Sequence, residues 1–134
     1  AGIRLGICYA SNPIISVLNK IKPPYNVNEL TQQKAMDRLE NKNIIKNEII
    51  SILKEKEKLL KVLIELNFID KIYPTEANFI LIKVDDATKR YNQLLEKGIV
   101  IRNRTTQPLC ENCLRLTIGT EQENNKLVDA LRSI

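Results

Sequence analysis

The sequence predicts an α/β fold of two layers, with helices packed on one face of a small sheet. Three observations predict it. From Asn67 onward the apolar pattern reads strand, strand, helix, strand, strand, helix. Within that order, Asn78-Phe79-Ile80-Leu81-Ile82-Lys83-Val84 is almost wholly apolar, as a central strand requires. Ahead of it, between about residues 44 and 66, Ile45, Ile49, Ile52, Leu59, Leu63 and Leu66 recur at helical spacing, and Ile50, Leu53, Leu60 and Ile64 widen the stripe.

Composition narrows the function classes. A chain of 134 residues can bury a real core. Aromatics make up only 4%, so no stacking platform for single-stranded nucleic acid is evident. The net charge of +5 is mild and spread along the chain, and nucleic acid is not an expected partner. No apolar run reaches the roughly 18 residues of a membrane span, and Ala1-Gly2-Ile3-Arg4 lacks a signal-peptide pattern. Three cysteines argue against a disulfide framework and for a reducing, cytoplasmic compartment. With no histidine, a His–Ser or His–Cys couple cannot form within this chain.

The elements follow in order. Ile3 to Ala10 is largely apolar and reads as a strand, with Arg4 inside it in need of an anionic partner. A buried-looking strand at residue 3 suggests a sequence cut from something longer. Asn12-Pro13 reads as cap and first helical position, with Ile14, Ile15, Leu18 and Ile21 on one face. Pro23-Pro24 stops that helix, Tyr25-Asn26-Val27 is an extended connector, and Asn28 caps a helix to about residue 40. In that helix Leu30, Ala35, Met36 and Leu39 point inward. After a break at 41–43 comes the long helix. Lys71-Ile72-Tyr73-Pro74-Thr75 is a short edge strand, and the central strand follows. Asp86 caps a helix over 87–97 with Tyr91, Leu94 and Leu95 inward, closed by Gly98. Two further strands carry Arg102 and Arg115. Thr120-Glu121-Gln122-Glu123 has capping-box spacing and opens a last helix with Leu127, Val128, Leu131 and Ile134 on its apolar face.

The candidate chemistry lies in the two arginines. Val100-Ile101 precede Arg102, and Leu114 and Leu116 flank Arg115, so each guanidinium leaves a strand in one direction. A guanidinium matches carboxylate or phosphate through a planar fork, and two together suit a molecule with two anionic ends. The plainer alternative is a pair of edge-strand charges in water. Cys110-Glu-Asn-Cys113 has C-x-x-C spacing, but a structural zinc needs four ligands and only Cys8 remains, so no metal site is expected. Asp85-Asp86 reads as a helix cap beside a solvated acid. The alternating Lys and Glu of 54–61 reads as a solvated helix face.

Five segments then carry a resemblance. Ala1-Gly2-Ile3-Arg4-Leu5-Gly6, Pro24-Tyr25-Asn26-Val27-Asn28, Glu76-Ala77-Asn78-Phe79-Ile80-Leu81, Gly98-Ile99-Val100-Ile101-Arg102 and Cys113-Leu114-Arg115-Leu116-Thr117-Ile118-Gly119-Thr120 occur in this order. Together they resemble the C-terminal part of the histidinol-phosphate aminotransferases, pyridoxal 5'-phosphate (PLP) enzymes of the aspartate aminotransferase fold type. The resemblance implies helices on one face of a small, mostly antiparallel sheet. It implies that 1–42 is a remnant of the large cofactor domain with its connector, and that 43–134 is the C-terminal small domain.

It also implies roles. Arg4 matches the arginine that binds the cofactor phosphate. Arg115 matches the one that holds the substrate α-carboxylate, and Arg102 the one that helps bind the phosphate of histidinol phosphate or the second carboxylate of glutamate. The Schiff-base lysine belongs upstream of Ala1, so no catalytic residue is expected in this chain, and a fragment alone should be inactive. The intact enzyme is implied to be a homodimer that moves an amino group between glutamate and imidazole-acetol phosphate. Two alternatives stay open: a related PLP enzyme acting on aromatic amino acids or decarboxylating threonine phosphate, and a non-catalytic anion-binding module. Without the large domain's sheet, Ile3 to Ala10 is expected to be disordered, re-paired within the chain or paired with a second copy.

Overall fold

The structure, a computed structural model, describes residues 2–134. The chain divides into two compact units, 1–47 and 48–134, and the division falls inside a helix that starts at Lys42, two residues earlier than its sequence predicts.

The first unit holds α1 (Asn12–Ile21), α2 (Glu29–Glu40) and the first residues of α3 (Lys42–Leu63). The predicted strand over Ile3 to Ala10 is absent. Residues 2 and 3 make a turn, 4–11 carry no regular structure, and Arg4 sits in the left-handed region at φ 57°. A strand needs a neighbour for its N–H and C=O groups, and none is paired with it among the described residues. The cap of α1 is Ser11 rather than Asn12, which is itself the first helical residue. The helix ends before Pro23-Pro24, with Lys22 N–H donating to Leu18 O at 2.9 Å. Tyr25 is a left-handed turn residue (φ 55°), not part of an extended connector. Asn28 caps α2 as its sequence predicts, its Oδ1 accepting from Thr31 N–H at 2.9 Å. The apolar faces of α1 and α2 do not point inward: Ile14, Leu18, Ile21, Leu30, Met36 and Leu39 are exposed, and neither helix buries a residue. Local signals wrote these helices, and burial did not.

The second unit is built on a four-stranded antiparallel sheet in the order β1 (Ile69–Ile72), β2 (Phe79–Val84), β4 (Cys113–Thr117), β3 (Arg102–Asn103). β2 is central, as its apolar run predicts. β1 starts two residues earlier than expected. Alternation sorts the sheet into two faces. Ile80, Ile82, Val84, Leu114 and Leu116 point to one of them and are sealed from solvent. Leu59 and Leu63 of α3, Ala87 and Leu94 of α4 (Ala87–Glu96), and Leu127, Ala130 and Leu131 of α5 (Glu121–Arg132) close over it in one cluster. Each buried Val, Leu or Ile among them stabilises by about 1.5–3 kcal/mol. Three helices therefore cover one sheet face. On α3 the seam is live only in its second half; Ile49, Ile50, Leu53 and Ile64 are exposed. Leu95 of α4 is also exposed rather than inward, while Tyr91 packs against the core edge.

The helix ends follow their sequence signals. Asp86 Oδ1 accepts from Lys89 N–H at 2.9 Å. Gly98, at φ 76°, closes α4: its N–H donates to Leu95 O and Ile99 N–H to Leu94 O, both at 2.9 Å. That wrap uses the Gly98 and Ile99 N–H groups, and β3 begins only at Arg102. Thr120 and Glu123 form the capping box of α5. Asn124, 3% exposed, ties α5 to α3: its Nδ2 donates to Glu55 Oε2 at 2.9 Å and to Gly119 O at 3.1 Å, and its Oδ1 accepts from Gly119 N–H at 2.9 Å. Arg90 forks Asp85 at 2.9 and 2.7 Å.

Candidate functional site

The face of the sheet away from the helices carries the polar chemistry. The same alternation that sends Leu114 and Leu116 into the core sends Cys113, Arg115 and Thr117 to this face. Phe79, Leu81 and Lys83 of β2 lie beside them, in register with Thr117, Arg115 and Cys113 respectively. Across the other edge of β4, Arg102 is paired directly with Arg115. Lys71 is paired with Lys83.

The two arginines singled out by sequence are therefore cross-strand neighbours. Residues paired this way have Cα atoms about 4.5–5.5 Å apart, and like charges there repel. Neither side chain has a hydrogen-bond or ion-pair partner among the described residues. Arg102 is exposed and Arg115 half-buried. The Arg115 guanidinium lies over the Phe79 ring, Cζ 5.1 Å from its centroid. Its Nε is sealed from solvent with no acceptor. Two guanidiniums on paired residues, without a carboxylate, have the chemistry to accept an anion.

The loop from β3 to β4 turns on left-handed Leu109 and Asn112. Cys110 and Cys113 close a turn, Cys113 N–H donating to Cys110 O at 3.0 Å. Burial pushes the Cys113 thiol up from its ordinary value. Burial likewise raises the Tyr73 phenol, with Cys113 beside it. Among the described residues no group of three or more possible ligands could hold a metal ion. No helix among them is long and apolar enough to cross a membrane.

Arg4 belongs to the first unit. It is exposed, sits on left-handed backbone and has no hydrogen-bond or ion-pair partner among the described residues. Phe79 is the residue that the reading of the sequence passed over, taking it only as part of an apolar strand. Strict alternation along β2 would have put it on the arginine face, opposite the side carrying Ile80 and Ile82.

Residues 1–131 match the family described as aminotransferase class I and II. The histidinol-phosphate aminotransferase of Flavobacterium johnsoniae is 73% identical over 132 residues, covering 98% of this chain and 38% of that protein. That of Flavobacterium psychrophilum is 60% identical over 134 residues, covering all of this chain and 38% of its own length. The crystal structure of the histidinol-phosphate aminotransferase from Clostridium acetobutylicum superposes with a TM-score of 0.81 at 27% identity, over 90% of this chain and 37% of that one. This chain thus spans under two-fifths of the relatives it matches. Aminotransferases of this class depend on PLP, and the exposed Arg4 guanidinium has the chemistry a phosphate requires, so it fits as one donor to that group. The family match spans residues 1–131, and the chain belongs to the aminotransferase class I and II family.

Proposed function

We propose that this chain is the C-terminal part of a PLP-dependent aminotransferase that moves an amino group between glutamate and imidazole-acetol phosphate, the step that makes histidinol phosphate in histidine biosynthesis. The observation that carries the reading is the direct pairing of Arg102 with Arg115 on the sheet face away from the helices. Both substrates are anionic, and a pair of like charges without an internal counter-ion is costly until an anion sits between them.

The division of labour follows from the chemistry. Arg115 forks the α-carboxylate of the amino acid. Arg102 takes the phosphate of histidinol phosphate or the second carboxylate of glutamate. Arg4 contributes to holding the cofactor phosphate. PLP, when bound, supplies the electron sink for breaking the C–H bond next to the amino group. No lysine of residues 1–134 is assigned the role of anchoring the cofactor, and the chain spans 38% of the length of its Flavobacterium johnsoniae relative. By itself the chain binds and orients anions and does not transaminate. Residues 1–42 act as part of the cofactor domain and its connector, and 43–134 as the small domain. The intact enzyme works as a homodimer in the cytoplasm.

The test is an assay of the full-length protein with glutamate and imidazole-acetol phosphate, run beside aromatic 2-oxo acids and threonine phosphate. Turnover dominated by the imidazole substrate supports the proposal. Decarboxylation of threonine phosphate, or preference for an aromatic acid, contradicts it.

A further inference from the structure

We propose that Phe79 is the positioning residue for Arg115, holding its guanidinium in the ligand-accepting direction without supplying a counter-charge. The inference rests on the reading of Arg115 as the arginine that takes the substrate carboxylate.

A half-buried arginine is ordinarily held by a carboxylate or by carbonyl oxygens. Arg115 has neither: its Nε is sealed and without an acceptor. Its cross-strand neighbour is Arg102, whose charge pushes it away. What it touches is the Phe79 ring, with Cζ 5.1 Å from the centroid, inside the range of a cation–π contact. Phe79 sits on the central strand β2, paired with Thr117, and so is the diagonal neighbour of Arg115 on the same face. Phe79 is half-buried at the start of an interior strand, its backbone held in register against β4.

The choice of an aromatic holder has a chemical consequence. A carboxylate at this place would neutralise the guanidinium and compete with the incoming anion. A ring orients the cation through its face and leaves the hydrogen-bond donors free. With Nε sealed, the two terminal nitrogens remain, and these form the fork that grips a carboxylate end-on. Phe79 thus sets the direction of that fork, while β4 sets its position.

The experiment is steady-state kinetics of the full-length enzyme with glutamate, for Phe79→Leu, Phe79→Tyr and Arg115→Ala. A fourth variant carries pentafluorophenylalanine at position 79, which keeps the ring's shape and inverts its electrostatics. Phe79→Leu and the fluorinated ring should raise KM for glutamate about three- to tenfold, the size of a partly desolvated cation–π contact, with kcat changed less than about twofold over the same comparison. Phe79→Tyr, which retains an electron-rich face, should stay near the parent value. The fluorinated variant decides the matter if Phe79→Leu fails to fold. Parent-like KM in the fluorinated variant, or a Tyr variant as poor as Leu, overturns the proposal. If those results come while Arg115→Ala still raises KM, only the role of Phe79 falls. If Arg115→Ala leaves KM unchanged, the reading of Arg115 falls and this inference with it.

Discussion

Residues 2–47 and 48–134 use the same local signals and reach opposite results. Both contain capped helices with apolar stripes. In the first, Asn28 caps α2 as well as Thr120 caps α5 in the second. Yet α1 and α2 bury nothing, while α5 buries Asn124, Leu127, Ala130 and Leu131. The difference is a sheet. Caps and propensities decide where a helix starts, at about 1 kcal/mol each; a sheet face gives its stripe something to cover. The stripe of α1 and α2 is therefore a statement about context rather than about fold.

The largest effect should separate the two regions directly. Leu63→Ala, at a side chain with no exposure, should cost about 2–5 kcal/mol in denaturant unfolding of the 134-residue chain. Leu39→Ala, 55% exposed on α2, should change it by less than about 0.5 kcal/mol. Equal losses would break the comparison.

Next comes the buried tie between α5 and α3. Asn124→Ala removes three hydrogen bonds and leaves the buried Glu55 with its Lys58 ion pair, at 2.7 Å. A loss of about 2–3 kcal/mol is expected. The pH dependence sharpens it. The Asn124 amide, and then Lys58, hold the Glu55 carboxyl below its ordinary value. A depressed carboxylate stabilises above its unfolded pKa, and that contribution fades as pH falls through the folded one. In Asn124→Ala the main cause is gone, so acid unfolding should begin at a higher pH, read by circular dichroism.

Caps give a smaller and more local contrast. Thr120→Ala and Asn28→Ala each remove a side-chain acceptor worth about 1 kcal/mol. The first should lower the cooperative unfolding of 48–134. The second should only speed amide exchange in the opening turn of α2 and leave that transition where it was.

The smallest effect concerns Asp85, whose carboxyl the Arg90 fork draws down to about 2. Its stabilisation should be intact above the ordinary aspartate range and lost as pH falls from about 4 towards 2. Because the Asp85 side chain is 43% exposed, Asp85→Asn should cost under about 1 kcal/mol at neutral pH.

These contrasts also explain what was legible in the sequence. β2, the Gly98 wrap, the capping box and the face of α5 are local patterns, and the structure follows them. The Arg102–Arg115 pair was legible because two strands joined by one loop pair antiparallel, although β3 proved only two residues long. The strand over Ile3 to Ala10 was not realised, because a strand is a relation between segments and its partner is not among the described residues. The inward face expected of α2 failed too: Leu30, Met36 and Leu39 are exposed. Phe79 was missed because an apolar residue in a central strand is read as core, and only the second face of the sheet reveals that its ring meets a cation.

The most direct measurement is the KM of the full-length protein for glutamate and for histidinol phosphate in Arg102→Ala and Arg115→Ala. Removing a charge that grips an anion in a desolvated site costs on the order of thirtyfold or more in binding. Arg115→Ala should raise KM for glutamate by that order, and Arg102→Ala should weaken histidinol phosphate. Parent-like KM values in both variants would contradict the assignment of this sheet face as the substrate-anion site.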